Sequence, residues 1–211
     1  MKKNIYITFL VVFSSIFTFS QEKTEISPKK KLEEQTRLLI SRVNNYKSLS
    51  SLLEMYGSER ISKMNHLFKF IPSINPLNPL NPNNNLRISS EYGIRYHPIE
   101  KKHKKHHGID IAVRLGTTIH ATANGTVKKI VFSNKSYGNY IVLTHDFGFE
   151  TKYAHMSIIF VLNKGQKVVL GDIIGMVGST GKSTANHLHY EVIKNKKHLN
   201  PEYFFNLLKT Y

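Results

Sequence analysis

His187-Leu188-His189-Tyr190-Glu191-Val192 alternates polar and apolar residues over six consecutive positions. In an extended strand, successive side chains point to opposite faces. His187, His189 and Glu191 then share one face, while Leu188, Tyr190 and Val192 share the other. The apolar face asks for a core. The opposite face offers two imidazoles and a carboxylate, spaced so that one imidazole can hold a metal while the other works beside it. A histidine that serves core packing does not ordinarily come with a second histidine on its own face. The strand therefore reads as part of a metal or proton-transfer site.

The same texture recurs outward from this strand. Thr117–Ala121, Thr126–Phe132, Tyr140–His145, Glu150–Ala154 and Val168–Leu170 are short runs rich in β-branched or aromatic residues. Gly116, Asn124-Gly125, Gly138-Asn139, Lys164-Gly165 and Gly171-Asp172 punctuate them as turns. Many short strands with close turns predict a mainly β domain over 86–201, an antiparallel sandwich or barrel. A short helical tail is expected over 202–211, opened by Pro201.

Upstream, residues 72–85 read Pro-Ser-Ile-Asn-Pro-Leu-Asn-Pro-Leu-Asn-Pro-Asn-Asn-Asn. Proline donates no backbone hydrogen bond and disfavours helix in the residue before it. This is a semi-extended linker and a domain boundary. Before it, Leu32, Leu38, Leu39, Ile40, Val43, Leu49, Leu52, Leu53 and Met55 give an uneven helix-like spacing. A short helical N-terminal region over 21–71 follows, read as packing or spacer. Lys2 and Lys3 precede an apolar run from Ile5 to Phe19, and Ser20-Gln21 offers a cleavage point. That is the layout of a signal peptide over 1–20. The run is shorter than the roughly 18–20 apolar residues of a spanning helix, which weighs against an uncleaved anchor. The expected location is the periplasm or cell envelope, with secretion as the second choice.

The 211 residues contain no cysteine, so disulfides and thiolate metal ligands are excluded. Any metal is held by nitrogen and oxygen. The formal net charge of +16 favours anionic partners, among them nucleic acid, membrane surfaces and a polyanionic wall. Export argues against nucleic acid, and no basic motif interleaved with aromatics appears. Peripheral contact with anionic envelope surfaces is expected, and a monomer.

Two further patterns add titratable groups. In His106-His107-Gly108-Ile109-Asp110, read as one strand running on through Ile111 and Val113, His106, Gly108 and Asp110 share a face and the branched residues point to the core. Gly108 would then leave space for a metal between the flanking side chains. His107 faces the other way. Tyr153-Ala154-His155-Met156 ends a strand, and a lone histidine there gains weight from the other patterns. Two histidines and an aspartate suit zinc, with an open position for water. Such an ion lowers the pKa of water and polarises a carbonyl. Imidazoles left over suit proton transfer near neutral pH. No His-Glu-x-x-His helix is present, which excludes a thermolysin-like arrangement.

Leu86–Pro201 resembles a lysostaphin/LytM-type zinc metalloendopeptidase domain, a peptidoglycan hydrolase family. The fragments that carry the resemblance are 90–98, 106–112, 116–121, 124–127, 138–142, 153–156, 164–168, 178–181 and 187–191, in the family's order. The resemblance implies an antiparallel β fold with a substrate groove over one zinc ion. It places the zinc ligands on His106, Asp110 and His189 and the catalytic pair on His155 and His187. It implies hydrolysis of peptide bonds in peptidoglycan stems or cross-links, a D,D-endopeptidase activity being the expected one and remodelling of the producer's wall its use. The alternative is a non-catalytic wall-binding regulator, an amidase activator, on the same fold; an intact five-residue set weighs against it. Glu191 is expected to orient a ligand imidazole. Arg95 is expected either to meet a substrate carboxylate or to pair with a surface acid. Tyr96 and Tyr137 are candidates for a tyrosine acting in the transition state.

Overall fold

The computed structural model describes residues 27–42, 87–97 and 101–204. The expected signal peptide, the linker over 72–85, most of the 21–71 region and the end of the tail lie outside them. No helix among the described residues is long and apolar enough to cross a membrane.

The domain is mainly β, as expected, and antiparallel throughout. Its strands are β1 (Ile88–Ser90), β2 (Gly93–His97), β3 (Lys102–His106), β4 (Ile109–Ala112), β5 (Thr118–His120), β6 (Gly125–Val131) and β7 (Tyr140–Thr144). They continue with β8 (Phe149–Ala154), β9 (Met156–Ile159), β10 (Lys167–Val168), β11 (Ile173–Val177), β12 (His187–Lys194) and β13 (Lys197–Leu199). The main sheet runs β1-β4-β12-β8-β7-β6-β10, with β13 added alongside β12. A smaller sheet, β5-β11-β9, and a two-stranded ribbon, β2-β3, complete the domain.

β12 lies in the interior of the main sheet between β4 and β8. Its apolar face is dry: Leu188, Tyr190 and Val192 are each 0% exposed. They pack with Ile109 and Ile111 of β4, Ile141 and Leu143 of β7, and Tyr153 of β8. Burial of each such side chain contributes roughly 1.5–3 kcal/mol, so the alternation read in 187–192 is enforced by the core.

The core also contains polar groups in a closed network. The Tyr153 hydroxyl lies 2.7 Å from Thr122 Oγ1, which is 2.9 Å from the Tyr190 hydroxyl. Thr151 Oγ1 joins Tyr153 to His145, whose Nε2 is 2.8 Å away. His145 Nδ1 donates to the Asn124 carbonyl at 2.8 Å. Burial brings the His145 pKa down to about 4. The unfolded chain takes up this proton near pH 6.5, while the folded one resists it until about pH 4. Stability therefore falls as pH drops through that window, by about 3 kcal/mol for this group at most. His145→Gln is expected to flatten the stability–pH curve between pH 6.5 and 4, read by urea unfolding; an unchanged slope would refute the assignment.

Two sequence expectations need correction. The stretch from His106 to Val113 is two elements, not one strand. β3 ends at His106 within the ribbon, and β4 starts at Ile109 within the main sheet. Gly108 is also required by a different neighbour than a metal. A Cβ there would stand 2.2 Å from the Tyr190 carbonyl oxygen and 2.9 Å from Glu191 Cγ. The missing side chain lets the turn lie against the backbone of β12, which swings His106 back over Asp110.

At the N-terminal end, α1 (Pro28–Arg42) starts with proline in its first turn, and Ser27 sits at its cap, with Oγ 3.4 Å from the Lys30 amide. Its last turn docks on the domain through Lys194, whose ammonium donates to the Ser41 carbonyl at 3.0 Å and to the Phe147 carbonyl. A cation at the last carbonyls of a helix complements its dipole. The tail begins with a 3-10 turn, Pro201–Phe204, and Phe204 is buried edge-on against Phe149.

Candidate metal centre and proton-transfer pair

Register brings the expected residues together. Asp110 of β4 and His189 of β12 are directly opposite one another, and His189 is opposite Ala154 of β8 on its other side. Directly opposed side chains start about 5 Å apart. His155 follows Ala154 at the corner into β9. His106 arrives from the ribbon, where it is paired with Gly93.

His106 Nε2, Asp110 Oδ1 and His189 Nδ1 form a triangle with edges of 3.1, 3.0 and 2.8 Å. All three residues are buried. Donor atoms 2.0–2.1 Å from a tetrahedral zinc ion stand about 3.3 Å apart, so the triangle has the right size. The far ring nitrogens decide the tautomers. His106 Nδ1 donates to the Glu91 carbonyl at 2.7 Å. His189 Nε2 donates to Glu191 Oε1 at 3.1 Å. Each ring thereby turns an unprotonated nitrogen toward Asp110, and three lone pairs converge on one point. Such an arrangement demands positive charge. With no ion, protons must supply it: burial would lower the His189 pKa, but hydrogen bonds to Asp110 and Glu191 outweigh burial and raise it. Likewise burial would raise the Asp110 pKa, but bonds to His106 and His189 hold it well below the carboxylate range. The donor set fits zinc by size and by charge. It is the group of this kind among the described residues.

Glu191 is fully buried among His189, Lys152, His198 and Tyr137. Its Oε2 accepts from Lys152 Nζ at 2.9 Å and from His198 Nε2 at 3.1 Å. Burial would favour the neutral acid, but the bonds to His189 and His198 and the Lys152 charge keep it ionised. It faces away from the triangle, behind His189. Arg95 pairs with an acid, but with the buried Asp110 rather than a surface one: its guanidinium donates to Asp110 Oδ2 at 3.2 Å. This leaves Oδ1 for the triangle.

His155 and His187 stand side by side, with ring centroids 4.6 Å apart. His155 adopts a left-handed backbone, φ 59°, which histidine tolerates better than most residues. Its Nδ1 donates to the Thr180 carbonyl at 2.7 Å, leaving Nε2 unprotonated. Burial brings its pKa down to about 4. His187 Nδ1 donates to the Ala185 carbonyl at 2.8 Å, and its Nε2 is 3.6 Å from Asp110 Oδ1. The Thr180 carbonyl is held by a loop clasp in which Gly181, at φ 73°, lies on Gly138. A Cβ at Gly181 would stand 2.2 Å from the Gly138 nitrogen.

Both imidazole sets line one cleft of about 1060 Å³. Of the tyrosine candidates, Tyr137 lines the cleft with its ring 5.4 Å from His189, over Lys152 at 4.0 Å. Burial and the Glu191 charge raise its pKa. Tyr96 also lines the cleft, but it is 57% exposed and rests edge-on against His103. Sequence reasoning missed Lys152, although Glu150, Lys152 and Ala154 share a face of β8 and register sets Lys152 opposite Glu191. The Glu91 and Thr180 carbonyls carry no side-chain signal at all.

The description of Peptidase family M23 matches residues 104–201. The catalytic domain of lysostaphin from Staphylococcus simulans is 33% identical; the alignment covers 56% of this chain and 91% of that one, with a TM-score of 0.50. The chain belongs to peptidase family M23. A zinc-containing peptidase from Vibrio cholerae is 31% identical over 58% of this chain and 37% of its own, with a TM-score of 0.53. The M23 chain is also 45% identical over 117 residues to the DD-carboxypeptidase/endopeptidase Mpg of Neisseria meningitidis. That match spans 54% of this chain and 26% of the relative's length.

Proposed function

We propose that this M23 chain is an exported, zinc-dependent endopeptidase of the cell envelope that hydrolyses peptide bonds in peptidoglycan cross-links, with D,D-endopeptidase action. The observation that carries the reading is the convergence of three unprotonated donors beside a second pair of imidazoles whose tautomers are set by carbonyls. Its relatives include a DD-carboxypeptidase/endopeptidase and a zinc-containing peptidase.

In this reading His106, Asp110 and His189 hold one zinc ion. Bound there, zinc supplies Lewis acidity that polarises the scissile carbonyl and makes water more acidic. Glu191 fixes the His189 tautomer, and Arg95 fixes which Asp110 oxygen is presented. His155 and His187 are the proton-handling pair: one unprotonated Nε2 accepts the proton of the attacking water, and the pair steadies the oxyanion and returns the proton to the departing amine. The C–N bond breaks, the carbonyl carbon keeps the water oxygen as a carboxylate, and the amine leaves protonated.

Purified protein is expected to release soluble fragments from isolated sacculi, to stop when a chelator is added, and to resume with added zinc. Mass spectrometry of the fragments reads the bond cleaved. A protein that binds sacculi and releases nothing, with or without zinc, would be the amidase-activator alternative instead.

A further inference from the structure

A strand covered by the core on one side alternates apolar residues with polar ones that face water. β9, at the edge of the smaller sheet, and the residues that continue it break this rule. Ile159 and Val161 point into the core, as alternation requires. Ile158, Phe160 and Leu162 take the other face, and they are 48%, 45% and 62% exposed. The segment is apolar on both faces although the core covers one.

The neighbouring chain enlarges this patch. Ile158 is opposite Met176 of β11, and the Phe160 amide donates to the Ile174 carbonyl at 2.9 Å. Continued by two residues, the same register sets Leu162 level with Asp172. Asp172 closes a tight turn: its amide donates to the Val169 carbonyl at 3.0 Å, and its carboxylate accepts from the Val169 amide at 2.8 Å. Val169 and Ile173, at the two ends of that turn, are exposed large apolar residues as well. Single exposed apolar side chains are ordinary, but several gathered around one turn make a patch that fits a partner.

Charge decides which partner. From Thr151 to Tyr190 the sequence has one acid, Asp172, and its carboxylate is engaged by the Val169 amide. Lys164 stands two residues beyond Leu162, in a turn closed by the Gln166 amide on the Asn163 carbonyl, and Lys167 stands two residues before Val169. Both are exposed, and neither has an acid partner among the described residues. Apolar side chains rimmed by ammonium groups complement a layer that is anionic at its surface and apolar beneath.

We propose that Ile158, Phe160, Leu162, Val169 and Ile173 form a docking surface for an anionic phospholipid bilayer. The apolar side chains enter the headgroup boundary, where an aromatic ring such as that of Phe160 is at home, and Lys164 and Lys167 meet lipid phosphates. The surface is separate from the metal centre. β9 leads away from His155, and Phe160 lies about 16 Å of extended chain further on. Docking there leaves the cleft open, and it stands independently of the endopeptidase reading.

The chain contains no tryptophan, so Phe160→Trp in the full chain places a single fluorophore in the patch. Phe132→Trp is the comparison, since Phe132 is 66% exposed and follows the end of β6 remote from its pairing with β10. A local readout is needed because the apolar run from Ile5 to Phe19 can itself bring the chain to a bilayer. With vesicles of equimolar phosphatidylcholine and phosphatidylglycerol, the Phe160→Trp emission is expected to move to shorter wavelength and its quenching by iodide to fall several-fold. The Phe132→Trp emission is expected to stay unchanged, and vesicles of phosphatidylcholine alone are expected to abolish the shift. Adding Lys164→Gln and Lys167→Gln to the Phe160→Trp chain is expected to raise the lipid concentration at half-shift by about fivefold per lysine. No shift at position 160, an equal shift at both positions, or a shift undiminished without anionic lipid or without the two lysines overturns the proposal. Protection from iodide before any vesicle is added also overturns it, because another part of the chain or a second copy then covers the patch.

Discussion

His189→Ala is expected to lose its zinc and its hydrolytic activity together. Wild-type protein should carry about one zinc per chain by elemental analysis, and the variant close to none. His189 holds one corner of a triangle whose other corners, His106 and Asp110, come from different elements of the fold. Two remaining donors give a much weaker site, because three ligands and an open position are what a catalytic zinc needs. Losing Lewis acidity worth several kcal/mol lowers kcat/KM at least about 10³-fold. The variant also leaves Glu191 buried without one of its two imidazole partners. Lys152 and His198 remain on the other carboxylate oxygen, so the charge is still compensated and the sheet is expected to persist. Circular dichroism separates that outcome from unfolding. A folded His189→Ala protein that still releases fragments from sacculi at the wild-type rate, without zinc, would defeat the proposed chemistry.

How much of this centre could be read from the chain follows from where its contacts come from. The alternation at 187–192 is enforced by a core face on one side, so the placement of His189 against a partner was legible. Ile109 and Ile111 made Asp110 legible for the same reason. Spacing favours His106 over His107, and His106 does cluster with Asp110 and His189, though by a geometry other than a shared strand face. The turn at 107–108 breaks the strand because Gly108 must admit the β12 backbone, a contact with a residue more than eighty positions away. The ribbon itself escaped notice, since Lys102-His103-Lys104-Lys105 has no apolar alternation and is exposed on both faces. Its pairing leaves no periodic trace of burial. The partner of Arg95 was equally unreadable: fifteen residues separate it from Asp110, and only the ribbon folding back over β4 closes the gap. Backbone carbonyls set the tautomers of three of the four candidate histidines, His106, His155 and His187, and a sequence does not name them.

The two histidines outside the triangle make a distinct prediction, because zinc does not depend on them. His155→Asn is expected to keep the ion and lose turnover, kcat falling by about 10²–10⁴. Asparagine is the suitable replacement: it accepts the left-handed backbone at φ 59° about as readily as histidine, and its amide can still donate to the Thr180 carbonyl. The corner between β8 and β9 is then preserved while the basic nitrogen is removed. Burial holds His155 neutral down to about pH 4. A base must be unprotonated to act, so activity limited by His155 declines only as pH falls toward about 4. An acid limb nearer pH 6 would have to come from elsewhere, such as protons competing with zinc for its ligands. Measuring kcat and bound zinc for His155→Asn from pH 4.5 to 8 distinguishes these cases. Wild-type kcat in the variant, or zinc loss in proportion to the fall in rate, would remove His155 from the proton-handling pair and leave His187 to act alone.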